Sequence, residues 1–402
     1  MVEAPVVPSK RTCPFDPAEE YGRLREEEPI SPIRFKIAPQ DPDGWLVTRH
    51  EYVRQILADD RFSHRNELCA HLISPPFPIE KYEPQPSPPG YFSRMDNPEH
   101  SKYRKLLASY FTVRKIREYE PTLVKLFDEV LDEMEAKDRP LDLISEFCEI
   151  IPARSVCSMM GVPPDMVADM ATHFAALFSL QYTLEEFLHH SGEVQKLLVQ
   201  LVEQRVEQPS DDIFSHLMAT GEVTVDELAK VAEIIIGGAL DTTPNMLGLS
   251  TFALLEHPEQ LEKFRANSEN VEGPVEELLR YLTVSQFGAS RAALEDVEIG
   301  GITIKKGQTV VLSLPAANRD PDFFTDADEL DVTRSARQHV AFGFGIHQCL
   351  GQHLARATLR IGLSKLFDRF PTLRLAVDPS EVPLRERAAH YGVDELLVTW
   401  GD

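Results

Sequence analysis

The tightest constraint in the sequence is the stretch Phe342-Gly343-Phe344-Gly345-Ile346-His347-Gln348-Cys349-Leu350-Gly351, which sets a single cysteine at the end of a glycine-punctuated loop. Glycine takes backbone angles that other residues avoid, so Gly343 and Gly345 permit a tight turn. An amphipathic run over 352–370 follows at once and reads as a helix. Cys349 therefore arrives at a helix N-terminus, where free N–H groups and the positive end of the helix dipole favour a thiolate. A thiolate held there is a metal ligand or a nucleophile, and the rest of the chain has to decide which.

Composition narrows the field. The 402 residues are 43% hydrophobic and 26% charged, as expected of a sizeable folded protein. No run of about 18 apolar residues occurs, so no membrane span is expected. Residues 1–11 lack the apolar core of a signal peptide, so the chain is expected to be cytoplasmic. Five scattered cysteines without a C-x-x-C argue against a disulfide framework, a zinc ribbon or an iron–sulfur site. A net charge of −24 disfavours nucleic acid and anionic lipid. One segment runs the other way. Over 98–117 Glu99 is the only acid among Lys102, Arg104, Lys105, Arg114, Lys115 and Arg117, which reads as a solvated helix face or as a docking patch for an acidic partner.

Along the chain, a short helix is expected over 17–28, strands over 33–37 and 44–48, and a helix over 50–58. Seven prolines over 63–96 forbid regular structure there. That segment's Phe77, Tyr82, Tyr91 and Phe92 suit the wall of a binding site. Helical periodicity dominates 98–264, with breaks at 138–140, 161–164, 208–212 and Gly221. Short strands return over 297–312, with hairpin turns at Gly300-Gly301 and Lys306-Gly307, and again after Leu373. The fold class is mainly α with a minor β part (α+β): one domain over 1–402, helical over about 98–285 and 352–370, β-richer over about 30–60, 290–315 and 373–402.

The longest helix candidate, 225–257, spans about 50 Å at 1.5 Å per residue. Its middle, Ile234 to Leu240, is apolar on every side and belongs in the interior. Into it the sequence sets Asp241 and Thr242, then Pro244. A buried carboxylate has to be paired, protonated or close to water. Pro244 removes a helical N–H, so a kinked, opened turn is expected, with the acid and the hydroxyl facing a small wet cavity. Glu277 and Arg280, three apart on a short helix, share a face, with Arg334 as a further arginine before the cysteine loop. His100 and Arg104, also on one helix face, join Arg291 and His347 as candidate binders of one anionic ligand.

Together these motifs resemble the cytochromes P450 of the soluble bacterial kind, over nearly the whole chain. Phe342, Gly345, His347, Cys349 and Gly351 match that family's haem-ligand signature. Asp241-Thr242 matches its acid–alcohol pair and Glu277-x-x-Arg280 its helix motif, in the same order. Two departures are Ala239, where a glycine is frequent before the pair, and Pro244 just after it.

The resemblance implies the P450 fold, with a long central helix over haem b and a cysteine-ligand loop. Cys349 would be the axial ligand of the haem iron. His100, Arg104, Arg291 and His347 would meet the haem carboxylates, with Phe342, Gly343 and Ala239 against the cofactor. Asp241 and Thr242 would relay protons on the distal side, and Glu277, Arg280 and Arg334 would form a structural ion network. The implied reaction is a monooxygenation that uses O2 and electrons from NAD(P)H through a ferredoxin reductase and a ferredoxin. The ferredoxin would dock on the basic patch, joined by Arg356, Arg360 and Lys365. The substrate is expected to be an apolar or aromatic secondary metabolite or terpenoid, walled by Phe77, Tyr91, Phe174, Phe178, Gly238, Val284, Phe287, His390 and Tyr391. No nucleic acid or membrane partner is expected, and the protein is expected to be a monomer. The rival readings are a peroxide-driven or oxygen-independent enzyme on the same fold, and a non-catalytic haem protein.

Overall fold

A computed structural model describes residues 7–39, 41–72, 85–266 and 271–401. Its organising element is the helix Val225–Glu256. Thr224 begins it with a capping box: its hydroxyl accepts the Glu227 N–H and the Glu227 carboxylate accepts the Thr224 N–H. Glu227 also takes Lys102 Nζ at 2.9 Å and the Tyr103 hydroxyl at 2.7 Å. Burial would raise this carboxyl, but those bonds outweigh it and bring it down to about 2. The cap thereby ties the central helix to the helix Glu99–Ala108, which carries His100 and Arg104.

The central helix packs on Ile150–Met160, Leu184–Glu207 and Gln352–Arg369, and the last of these also packs on Val113–Glu135. Phe127, Phe147, Leu247, Phe252 and Leu366 fill the space between them and are fully buried. Each contributes roughly 1.5–3 kcal/mol of burial. A methyl group built on Gly362 would lie 2.8 Å from the Phe127 ring, so the helix after the cysteine can approach this core only with glycine there.

The β part forms a five-stranded sheet in the order Ile30–Arg34, Asp43–Val47, Thr309–Leu312, Ala289–Ala293, Phe62–Ser63. Its one parallel pair joins Asp43–Val47 to Thr309–Leu312; the antiparallel partner of the latter, Ala289–Ala293, carries Arg291. Leu397–Thr399 lies between Leu141–Asp142 and Arg374–Leu375 in a second sheet.

This is the α+β architecture read from the sequence. The helix bounds fell within a few residues of expectation, and the breaks after Glu135, Met160, Glu207 and Ala219 are all present. Two local readings are corrected. Gly300-Gly301 does turn a hairpin between Val297–Ile299 and Ile302–Ile304, but the turn at Lys306-Gly307 connects strands of different sheets and makes no hairpin. The central helix also continues through Pro244 without an opened turn. Beside it, the Thr242 hydroxyl donates to Gly238 O at 2.6 Å and Asn245 Nδ2 to Asp241 O at 2.6 Å.

Candidate active site

The cysteine loop is held by its own backbone. Gly343 N–H donates to Val340 O, Gln348 N–H to Gly345 O, and Cys349 N–H to Phe342 O, all at 2.8–3.0 Å. Gly343 and Gly345 have φ of 69° and 74°. At Gly345 a side chain is barred twice over, because a Cβ would also sit 2.4 Å from Leu57 O. Arg356 lies 4.5 Å over the Phe342 ring and pairs with Glu276 through Nε at 2.5 Å. Burial would raise the Glu276 carboxyl, but His339 and Arg356 bring it down to about 2. Cys349 is exposed, and what it faces is an interior cavity of about 450 Å³.

Ile234, Gly238, Ala239, Thr242 and Thr243 border the same cavity from the central helix. Their spacing of four, one, three and one residues is that of a single helix face. Gly238 opens directly onto the space, with nothing within 4 Å of where its Cβ would be. Asp241 does not border the cavity. It is 3% exposed and turned away. One of its oxygens, Oδ2, takes His390 Nδ1. The other, Oδ1, lies 2.9 Å from an Arg385 nitrogen, an ion pair not aligned as a hydrogen bond. The acid and the hydroxyl expected to face one cavity therefore point to different places. The reason is the 100° between successive residues of an unbroken helix.

His64, His100, Arg104, Arg291 and His347 all reach the cavity, and the His100 and His347 rings are 4.2 Å apart. Among the described residues no carboxylate pairs with Arg104 or Arg291; the Arg291 guanidinium donates to Ser290 O alone. Burial brings Arg291 down to about 10. Burial, then Arg291, His100 and Arg104, brings the His347 imidazole to about 3, and burial with Arg104 brings His100 to about 4. His64 Nδ1 and His347 Nε2 are buried without a partner. Two guanidiniums gathered with neutral imidazoles, and paired with no carboxylate among the described residues, mark a place built for an anion.

The cysteine behaves in the same way. Burial pushes the Cys349 thiol up, and the Gly351 and Gln352 N–H groups with Arg104 and Arg356 pull against it without prevailing. The helix-end N–H groups favour the thiolate, as the sequence suggested, but do not outweigh burial; a metal cation at the sulfur would. A flat, apolar group with two carboxylates and a metal at its centre answers both needs, and haem b has that chemistry. The residues fit it.

Of the expected cofactor residues, His100, Arg104, Arg291, His347, Cys349, Phe342, Gly343 and Ala239 are brought together at this one cavity. Glu277 and Arg280 form a fully buried pair, Nε to Oε2 at 2.7 Å, with Arg334 Nε 3.1 Å from Glu277 Oε1. Of the expected substrate wall, Gly238, Val284 and His390 border the cavity, as does Phe92. Phe174 does not, since it packs in the core behind Gly237. Phe287 lies in the core under the sheet, Tyr391 is buried with Arg11 3.7 Å over its ring, and neither Phe178 nor Tyr91 borders the cavity. Phe77 lies outside the described residues.

The basic patch also changes. Arg356, Arg360 and Lys365 are paired with Glu276, Glu120 and Asp128, and Lys102 with Glu227. Sequence reasoning missed His64, Arg94 and Arg385. Arg94 meets His64 Nε2 at 3.0 Å, and both lie in the proline-rich segment, where no periodicity marks a residue's facing.

A sequence model of the family described as Cytochrome P450 matches residues 47–385. The chain is 40% identical to Cytochrome P450-SU2 of Streptomyces griseolus over 99% of its length and 98% of that relative's. It is 37% identical to Pentalenic acid synthase of Streptomyces avermitilis over 99% and 98%. Among solved structures, CYP105P1 in complex with filipin I superposes with a TM-score of 0.90 at 37% identity, covering 99% of both chains.

Proposed function

Because this chain belongs to the cytochrome P450 family, whose members are haem b monooxygenases, we propose that it inserts one oxygen atom from O2 into an apolar secondary metabolite, with electrons from a ferredoxin. The observation that carries this reading is that Cys349 from its loop and Thr242 from the central helix border one cavity together with Arg104 and Arg291, which pair with no carboxylate among the described residues. The haem supplies oxygen activation when bound, with the thiolate donating electron density. Cys349 would hold the iron through Sγ. Arg104, Arg291, His100 and His347 would hold the carboxylates through charge-assisted bonds, which would offset the cost of burying both partners. Thr242 holds its proton on Oγ1 toward Gly238 O and can turn that proton into the cavity. Ile234, Val284 and Phe92 keep the space around it apolar, which suits a terpenoid or another apolar substrate. Relatives named for pentalenic acid and solved with filipin I favour a secondary-metabolite substrate. Among the described residues no helix is long and apolar enough to cross a membrane.

Thr242→Ala tests the oxygenase reading. With 7-ethoxycoumarin as a flat apolar probe, product formed per NAD(P)H consumed is expected to fall on the order of 10-fold, about 1.4 kcal/mol, while NAD(P)H consumption continues. Unchanged coupling would remove Thr242 from proton delivery. Product from peroxide alone, with none from NAD(P)H and O2, would favour the peroxide-driven alternative.

The ferredoxin reading rests on the part of the basic patch that stays available. Lys105 has no ion-pair partner among the described residues, and Arg114, with a side chain 80% exposed, shares Glu118 with Lys115. Reversing both charges, Lys105→Glu with Arg114→Glu, is expected to slow reduction by a ferredoxin about 10-fold at low salt and to flatten its salt dependence. Stopped-flow reduction rates at two ionic strengths check this, and equal rates for both proteins would make the patch an ordinary solvated face.

A further inference from the structure

We propose that His390 is a proton-transfer residue of this enzyme, linking the turned-away carboxylate of Asp241 to the active-site cavity; the inference rests on the oxygenase reading above. Asp241 is shut off from the cavity, so on its own it delivers nothing there. His390 touches both places. Its Nδ1 is bonded to Asp241 Oδ2, its ring borders the cavity, and its Nε2 has no hydrogen-bond partner among the described residues. On the far side of Asp241, Arg385 borders a second cavity of about 280 Å³, lined also by Gln181, Glu386, Arg387 and Asp394. The order through the protein is thus a polar cavity, Arg385, Asp241, His390 and the active-site cavity.

The segment that carries both Arg385 and His390 is fixed from several directions. Arg385 N–H donates to Gly392 O at 2.9 Å, and Leu384 pairs with Val393 across the hairpin. Ala389 N–H donates to Phe178 O, Leu180 N–H to Arg387 O, and Tyr391 N–H to Val284 O, at 2.8–3.1 Å. Gly392 is pressed so closely on the central helix that a Cβ would fall 1.8 Å from Asn245 Oδ1, and Asn245 Nδ2 in turn bonds Asp241 O. The ring of His390 is therefore set against Asp241 by backbone bonds on one side and helix contact on the other. A structural ion pair needs only Arg385. An imidazole with one nitrogen on the acid and the other free at a cavity wall is what a relay needs.

Imidazole is the side chain whose ordinary titration falls between pH 5 and 8. In the transfer, a ring protonated on both nitrogens breaks its Nε2–H bond. The proton passes to a water in the active-site cavity and the bonding pair stays on the ring. Nδ1–H remains donated to Asp241, whose carboxylate keeps its charge and holds the ring, and a proton from water that enters the active-site cavity then restores Nε2–H; no electron moves. The charged and titratable groups around the link are Asp241 from the central helix, Arg385, Glu386, Arg387 and Asp394 at the polar cavity, and Glu149. Burial pushes the Glu149 carboxyl up while Arg385 pulls it down.

The test uses haem-loaded His390→Asn, His390→Phe and Asp241→Asn. Asparagine keeps an N–H donor toward Asp241 but does not titrate. Turnover of 7-ethoxycoumarin by His390→Asn is expected to fall on the order of 10²-fold, the lower end for general acid catalysis, with a pH profile that differs from the wild type. Wild-type turnover and an unchanged pH profile in His390→Asn would overturn the relay and leave the ring as a strut. Independently of turnover, proton NMR of the diamagnetic ferrous–CO holoprotein should show a strongly downfield Nδ1–H resonance that His390→Phe and Asp241→Asn both remove. Its absence from the wild type would overturn the link itself. A wild type that oxidises the probe only with peroxide would overturn the oxygenase reading, whereas the resonance reads the Asp241–His390 bond separately.

Discussion

Arg280→Ala is expected to yield little folded protein, and what folds is expected to melt roughly 10 °C below wild type. Arg280 and Glu277 are both 0% exposed. The guanidinium gives Nε and one terminal nitrogen to the two Glu277 oxygens at 2.7 and 2.8 Å, and its remaining donors go to the carbonyls of Asn318, Ala327 and Glu329. Glu277 in turn receives Arg334 and the Asp331 N–H. Alanine would strand a buried carboxylate with one remaining cation and leave the carbonyls of Asn318 and Ala327 without their Arg280 donor, Glu329 O keeping Arg334. Removing one member of a buried pair costs about 3–5 kcal/mol, a large share of the roughly 5–15 kcal/mol that holds an ordinary protein folded. Arg280→Lys should fall between, because the charge survives but the forked donor geometry does not. Thermal melts of the three proteins check this. A melt of Arg280→Ala within a degree or two of wild type would show that the network contributes little.

The Glu277–Arg280 contact was legible in the sequence because both residues lie on one helix, where a spacing of three fixes a shared face. The same holds for the helix after Cys349, whose apolar positions ran from 352 to 370 and which folds as Gln352–Arg369. The cysteine loop was legible from its glycines, and Gly345 has the positive φ and the close backbone neighbour that exclude other residues.

What the sequence hid depends on contacts made far along the chain. Asp241 read as an acid facing the cavity because Pro244 suggested an opened turn. The helix stays closed through Pro244, and the acid turns toward Arg385 and His390, about 150 positions away. The paired state of Arg356, Arg360 and Lys365 was hidden in the same way, since Glu276, Glu120 and Asp128 belong to other helices. Aromatic residues such as Phe174 and Phe287 look alike in sequence whether they fill a core or wall a cavity, and here they fill cores. His64 and Arg94 entered the cation cluster from a segment without periodicity.

The central claim is that Cys349 would hold the haem iron through Sγ, and Cys349→Ser tests it with a change of one atom. Arg104, Arg291, His100 and His347 are untouched by the substitution, so the variant should still take up haem through its carboxylates, and haem content can be counted separately from the spectrum. A thiolate places far more electron density on iron than a hydroxyl does, and that density produces the red-shifted absorbance of the ferrous–CO complex. The measurement is the ferrous–CO difference spectrum of the haem-loaded wild type and of Cys349→Ser. The red-shifted band is expected in the wild type and absent from the variant, whereas a variant that keeps the band would contradict the assignment of Cys349.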